Sequence, residues 1–178
     1  MTVAEAITKS GITPSASYTG IETADDFVFA IQTESTQSKE TDWVVCADHV
    51  KEHSGALNAT TNPDTFIRTG PTDTKSAVQR TLSVNGNRCV GDAFQDFLLS
   101  RKIVFGTGSD VIVPYIYFSL RTGKGEKGSC TLVVTSDVGG AAGSPATFAC
   151  DVKSIGVPGT FDYLTATQSA AGGNAVKA

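Results

Sequence analysis

A chain of 178 residues is long enough for one domain with a self-sufficient core, so neither disulfide nor metal staples are required. Its formal charge of −4, with no run of Lys or Arg, excludes a phosphate grip of the kind nucleic-acid-binding domains use. Charged residues make up only 18% while Gly, Ser, Thr and Ala abound, a composition that suits strands joined by turns and surfaces that meet other protein.

Residues 1–23 are small and polar with little periodicity and read as an arm or irregular lead-in. They show neither a cationic leader nor an apolar run, so no secretory signal is expected. The longest apolar stretch, residues 111–120, is too short to cross a bilayer as a helix. A chain made in the cytosol would keep Cys46, Cys89, Cys130 and Cys150 reduced.

Residues 27–33 alternate, with Phe27, Phe29 and Ile31 on one side of a strand. Residues 42–50 alternate again and are apolar on both faces, as a strand buried on both sides would be. The pattern then dissolves over residues 51–76. A stretch of that length without structure is unusual inside a compact domain. Phe66, Ile67 and the turn formers Asn62-Pro63-Asp64 and Gly70-Pro71 favour an extended loop or long hairpin that gains order by lying on something; a mobile surface loop is the alternative. Residues 77–84 form a strand in which Arg80 shares a face with Val78, Leu82 and Val84 and must snorkel or find a partner. Asn85-Gly86 then signals a hairpin turn.

Residues 90–103 carry the strongest helical signal in the chain. Asp92 and Gln95 stand at capping-box spacing, Val90, Ala93, Phe94 and Phe97 share one face with Leu98 at its edge, and Arg101 and Lys102 complement the last turn before Gly106. Leu99 and Ile103, on the other side, would leave apolar surface for a neighbour; alternatively the helix ends near Lys102 and Ile103 opens the next strand. Residues 111–120 are a strand apolar on both faces, with Pro114 marking an edge or bulge. Residues 121–128 read as a hairpin tip, 130–135 and 146–154 as a strand pair in which one register sets Cys130 opposite Cys150 as packed thiols, and 160–164 as a last short strand. The tail, 165–178, has nothing to bury and reads as an arm.

Chemistry is sparse. Cys46, His49 and His53 have ligand types and a spacing that suit zinc on a helix, but they fall in a strand pattern that throws the side chains apart, and a fourth ligand is missing. The Gly-rich RTGKGEKGS lacks phosphate-loop spacing, and Asp25-Asp26 reads as solvated charge. Tyr115, Tyr117 and Phe118 suit a strand core as well as a stacking platform for bases, and the missing cations weigh against the latter. No catalytic centre stands out, so no enzyme activity and no cofactor are expected.

From residue 77 onward the order of features is distinctive: VQRTLSVNGNR, the helix GDAFQDFLLSRK, the strand VIVPYIYF, the hairpin TGKGEKG, and the closing phrase DVKSIGVPGTFDY. Over residues 27–164 the chain resembles the major tail tube protein of tailed bacteriophages. The resemblance implies a mainly β fold, two packed sheets forming a sandwich or half-open barrel flanked by one helix, spanning residues 24–164 between terminal arms 1–23 and 165–178. It implies a virion protein made in the host bacterial cytoplasm, whose copies form hexameric rings that stack into a tube. Its partners would be itself, the tape measure, tail terminator and distal tail proteins, and DNA in transit without specific binding; no membrane is implied. Residues 51–76 match in position the loop that family members extend onto the adjacent ring, which sets Asp64, Phe66, Ile67 and Arg68, with Leu99 and Ile103, as expected subunit-interface residues. A β-sandwich binding module on a virion or cell surface, recognising a glycan or protein, is the alternative.

Overall fold

The computed structural model describes residues 1–166, so the tail expected as an arm lies, from residue 167 onward, outside the described residues. The strands are β1 (Phe27–Ile31), β2 (Val44–Val45), β3 (Val50–Phe66), β4 (Gly70–Asn87), β5 (Ile112–Ser119), β6 (Lys124–Gly139) and β7 (Thr147–Asp162). They form one antiparallel sheet in the order β2-β1-β5-β6-β7-β4-β3, where the sequence led us to expect two. The length of β6 and β7 explains the difference. β5 pairs with the first half of β6, from Gly125 to Thr131, whereas β4 pairs with the first half of β7, from Thr147 to Lys153. Because β6 and β7 pair with each other along nearly their whole lengths, they carry both halves of the sheet and hold them together. The sheet does not close, but it curls far enough for His53 on β3 to meet the ring of Tyr117 on β5 edge-on, with centroids 6.0 Å apart.

Alternation along the strands sorts the core into two layers. Phe29, Ile31, Leu82, Val84, Leu132 and Val152 share the layer packed under the central helices, while Val28, Ala30, Ile116, Phe118 and Phe161 face the other way. The second layer is covered by α1 (Val3–Ser10), a helix within the stretch read from sequence as an irregular lead-in. Thr2 and Glu5 form a reciprocal capping box, Gly11 ends the helix in the left-handed region, and Val3 and Ala6 are buried. Two turns are too short to sustain a period, so the Thr2-x-x-Glu5 spacing was the available signal. The same segment shields the sheet edge: Val3 N–H donates to Trp43 O at 3.1 Å and Val45 N–H to Met1 O at 2.9 Å.

The expected single helix is two, α2 (Ala93–Leu98) and α3 (Arg101–Val104). Asp92 caps α2 by accepting from Gln95 N–H at 3.0 Å. The Gln95 side chain does not return to the cap; it accepts from Cys89 N–H at 2.7 Å and donates to Asp48 O at 2.8 Å and Asn87 O at 3.2 Å. Ser100 adopts an extended backbone at the break, and its carbonyl accepts from Ile103 and Val104 to start α3. That turn brings Ile103 into the same buried layer as Phe94 and Leu98. Val90, expected on the buried face, precedes the cap and is 84% exposed.

Asn85-Gly86 makes no turn but lies within β4, paired with β3 on one side and β7 on the other. Glycine is required there by close approach: a Cβ on Gly86 would stand 2.5 Å from His49 O and 2.9 Å from Val50 Cα. Pro114 sits where β1 runs out. Gln32 N–H donates to Pro114 O, so the side on which proline lacks a donor faces the end of β1, where no strand needs one. Of residues 160–164, expected as a separate strand, 160–162 continue β7 and Tyr163 and Leu164 enter a helical turn. The break seen in sequence is a bulge, since Lys127 pairs with Gly159 and Ser129 with Ile155, with Gly156 at φ +72°. The cysteines do not face each other: Cys130 pairs with Ser154 and Cys150 with Val134.

Candidate functional site: a projecting hairpin and its root

β4 is held by β7 only from Thr81 to Asn87. From Arg80 outward to the turn at residues 67–69 its sole ladder partner is β3, from Leu57 to Phe66. Ten residues of strand reach roughly 33 Å. The stretch expected as a loop or long hairpin is thus a ladder, regular apart from shifts between Val50 and Glu52 and between Thr60 and Thr61. Side chains assist it: Ser76 Oγ donates to Thr60 O at 3.1 Å, and Thr72 Oγ1 to Asp64 O at 3.4 Å. Gly70, at φ +75°, closes the turn.

Between residues 54 and 77 every residue except Gly70 is exposed. Both faces of the ribbon therefore meet solvent, a state in which an isolated two-stranded hairpin is marginal. Leu57, Phe66 and Ile67 are large apolar side chains left in the open, Ile67 completely so at the tip. Asp64, Phe66, Ile67 and Arg68 are accordingly brought together at the far end of the hairpin. The outer edge of β3 has no strand partner among the described residues, so its unpaired backbone groups run alongside the whole ribbon.

The root of the hairpin is tied down. Arg80 Nε donates to Glu126 Oε1 on β6 at 3.0 Å, and the same oxygen accepts from Tyr115 Oη at 3.2 Å. The Arg80 guanidinium lies 5.4 Å from the centre of the Tyr117 ring, which also stacks on Phe27 at 5.5 Å. Asn58 Nδ2 donates to Thr81 Oγ1 at 2.9 Å and Gln79 Nε2 to Ser154 O at 3.4 Å. Arg80 thus finds the partner its place among apolar residues demanded. Burial and then the Glu126 carboxylate push the Tyr115 hydroxyl well above the usual tyrosine range, so it remains a donor. Tyr115 and Phe118 are buried, which removes them from any exposed stacking platform.

The other expected interface residues lie elsewhere. Ile103 is buried in the chain's own core and Leu99 packs against it, so the apolar surface expected on that side of the helix is covered by the same molecule. Cys46, His49 and His53 are not assembled into a site: Cys46 is buried, with burial pushing its thiol well up, His49 sits exposed at φ 58°, and His53 lies against Tyr117. Among the described residues no group of three His, Cys, Asp or Glu is placed to hold a metal ion. No helix among them is long and apolar enough to cross a membrane. Asp26, read from sequence as solvated, is buried and accepts from Thr23 N–H and Arg121 Nε, each at 2.8 Å. The Thr23-x-x-Asp26 spacing was the available signal, because it is a capping box in miniature.

No family model and no curated protein matches the sequence. Solved structures do share the fold. A chain from the virion of a native gene transfer agent particle superimposes with a TM-score of 0.57 at 16% identity, covering 79% of this chain and 98% of that one. A chain from the tail of an empty gene transfer agent particle, determined by helical refinement with C6 symmetry, gives 0.55 at 16% identity, with 78% and 98% covered. At such identity the likeness is one of fold.

Proposed function

We propose that this protein is a structural component of a phage-like tail, the tube subunit, whose copies form hexameric rings that stack around a channel for DNA. The observation that carries this reading is the hairpin: about 33 Å of ordered ribbon extends beyond the sheet with Phe66 and Ile67 bare at its end. Such a feature suits a chain that completes itself on a neighbour. The fold likeness supports it, since it spans nearly all of a chain from a tail with six-fold symmetry. In this reading Asp64, Phe66, Ile67 and Arg68 contact another copy, and the free edge of β3 is available for pairing between copies. The particle's other tail proteins, among them the tape measure, terminator and distal tail proteins, would bind the ends of the tube. DNA would pass without being held, which accords with a net charge of −4. The role is non-enzymatic and the site of action is the virion.

Electron microscopy of the purified protein tests the proposal. Rings or tubes are the expected result, and removal of residues 56–74 should leave a folded domain that forms neither. A monomer that stays monomeric at high concentration, or normal tubes from the shortened chain, would overturn it.

A further inference from the structure

We infer that Arg80 and Glu126 are positioning residues that set the direction in which the hairpin leaves the body. The ladder from β4 to β7 ends at Thr81, so the next residue outward is the first without a strand on that side. Beyond it the described body offers the ribbon few holds, and exposure on both faces leaves the outer part unsupported. Arg80 occupies that first position and reaches across β7 to Glu126 on β6.

The contact is built to fix an angle. Arg80 is held in two directions, by the Glu126 carboxylate at 3.0 Å and by the Tyr117 ring face at 5.4 Å. A planar guanidinium gripped edge-on and face-on has little rotational freedom. Glu126 is itself oriented by Tyr115 Oη, and Tyr115 is buried in the main core, so the restraint runs back to the rigid part of the molecule. Both charged side chains are mostly sheltered, with 17% and 26% of their surfaces exposed, so solvent and salt weaken the pair less than an open surface bridge. His53, edge-on to Tyr117 with centroids 6.0 Å apart, brings the companion strand β3 to the same ring. A ribbon of this length magnifies small angular freedom at its base into large displacement at its tip. The two residues therefore determine where Phe66 and Ile67 are presented, and in the tube reading they lower the ordering cost of meeting a neighbour.

Spin labels at Ile67→Cys and Lys124→Cys, in a Cys89→Ser background and at a concentration that keeps the chain monomeric, report the tip-to-body distance distribution. Glu126→Ala is expected to broaden it at least about twofold, and Arg80→Gln likewise, while Glu52→Ala, which removes only the Asn85–Glu52 contact within the hairpin, leaves it narrow. Amide exchange in the core serves as the check on folding; should Glu126→Ala fail it, Arg80→Gln decides. An unchanged distribution in a folded variant overturns the inference. The effect on assembly rests on the proposed function and is read separately: ring formation should slow by about tenfold, the worth of one charge-assisted hydrogen bond. Broadening without any assembly in the parent protein would sustain the positioning role and sink the tube reading.

Discussion

Arg121 Nε donates to the buried Asp26 carboxylate at 2.8 Å, joining the lead into β1 to the turn between β5 and β6. The Thr23 backbone N–H, against an opposing push from burial and with help from Arg121, holds the Asp26 carboxyl below its usual range. A depressed folded-state value means that this contribution to stability is complete above the ordinary aspartate pKa and disappears as pH falls through the folded one. Thermal unfolding from pH 7 to pH 2 should therefore show Asp26→Asn less stable than the parent at neutrality, with the two curves converging below about pH 4. A gap that stays constant across the range would assign the effect to packing, not charge.

Gln95 is fully buried, and its amide joins three backbone groups: Cys89 N–H, Asp48 O and Asn87 O. Gln95→Ala should cost about 3 kcal/mol, because several buried polar groups lose their partner at once. Chemical denaturation measures the loss, and amide exchange should localise it to Cys89.

Gly86→Ala should destabilise by about 1–3 kcal/mol, the usual cost of forcing a methyl into occupied space. The new Cβ would meet backbone atoms of His49 and Val50, which cannot swing aside as a side-chain tip could. Asn85→Ala, one residue away, loses only the exposed contact to Glu52 and should fall within about 0.5 kcal/mol of the parent in the same assay.

Leu99→Asp should harm folding as much as any assembly. Leu99 packs against the buried layer beneath α2 and α3, so a carboxylate there loses about 2 kcal/mol or more. Melting temperature and particle yield should fall together. Loss of particles from a chain that melts normally would return Leu99 to the interface.

What could be read from the letters depended on how local the deciding physics was. The alternation of Phe27 to Ile31 and the short apolar run from Val111 to Leu120 mark strands because each pattern is set by neighbours in sequence. Asp92 as a cap was legible for the same reason. Gly86 misled because glycine after asparagine serves two ends, a turn or a close approach, and only the distant His49 carbonyl decides between them. The division at Ser100 depended on Ile103 being drawn into a core made by strands far along the chain. Pairing of one continuous pair of strands with both halves of the sheet was likewise invisible, since register between remote segments leaves no mark on either one. Of the site, Phe66 and Ile67 stood out as apolar residues among turn formers, whereas the link from Arg80 to Glu126 spans 46 positions and could be anticipated only as an unnamed partner.

The long bare margin of β3 also carries a hazard. A row of unsatisfied amides and carbonyls accepts almost any extended peptide, including the wrong stretch of a sister molecule in a crowded cell. β3 carries Lys51, Glu52 and Asp64, and Pro63, which has no backbone donor, all residue types that disfavour promiscuous amyloid-like stacking. On the proposed function this edge would have to admit the right neighbour and refuse the wrong one, and a strand whose large apolar residues are only Val50, Leu57 and Phe66 suits both demands.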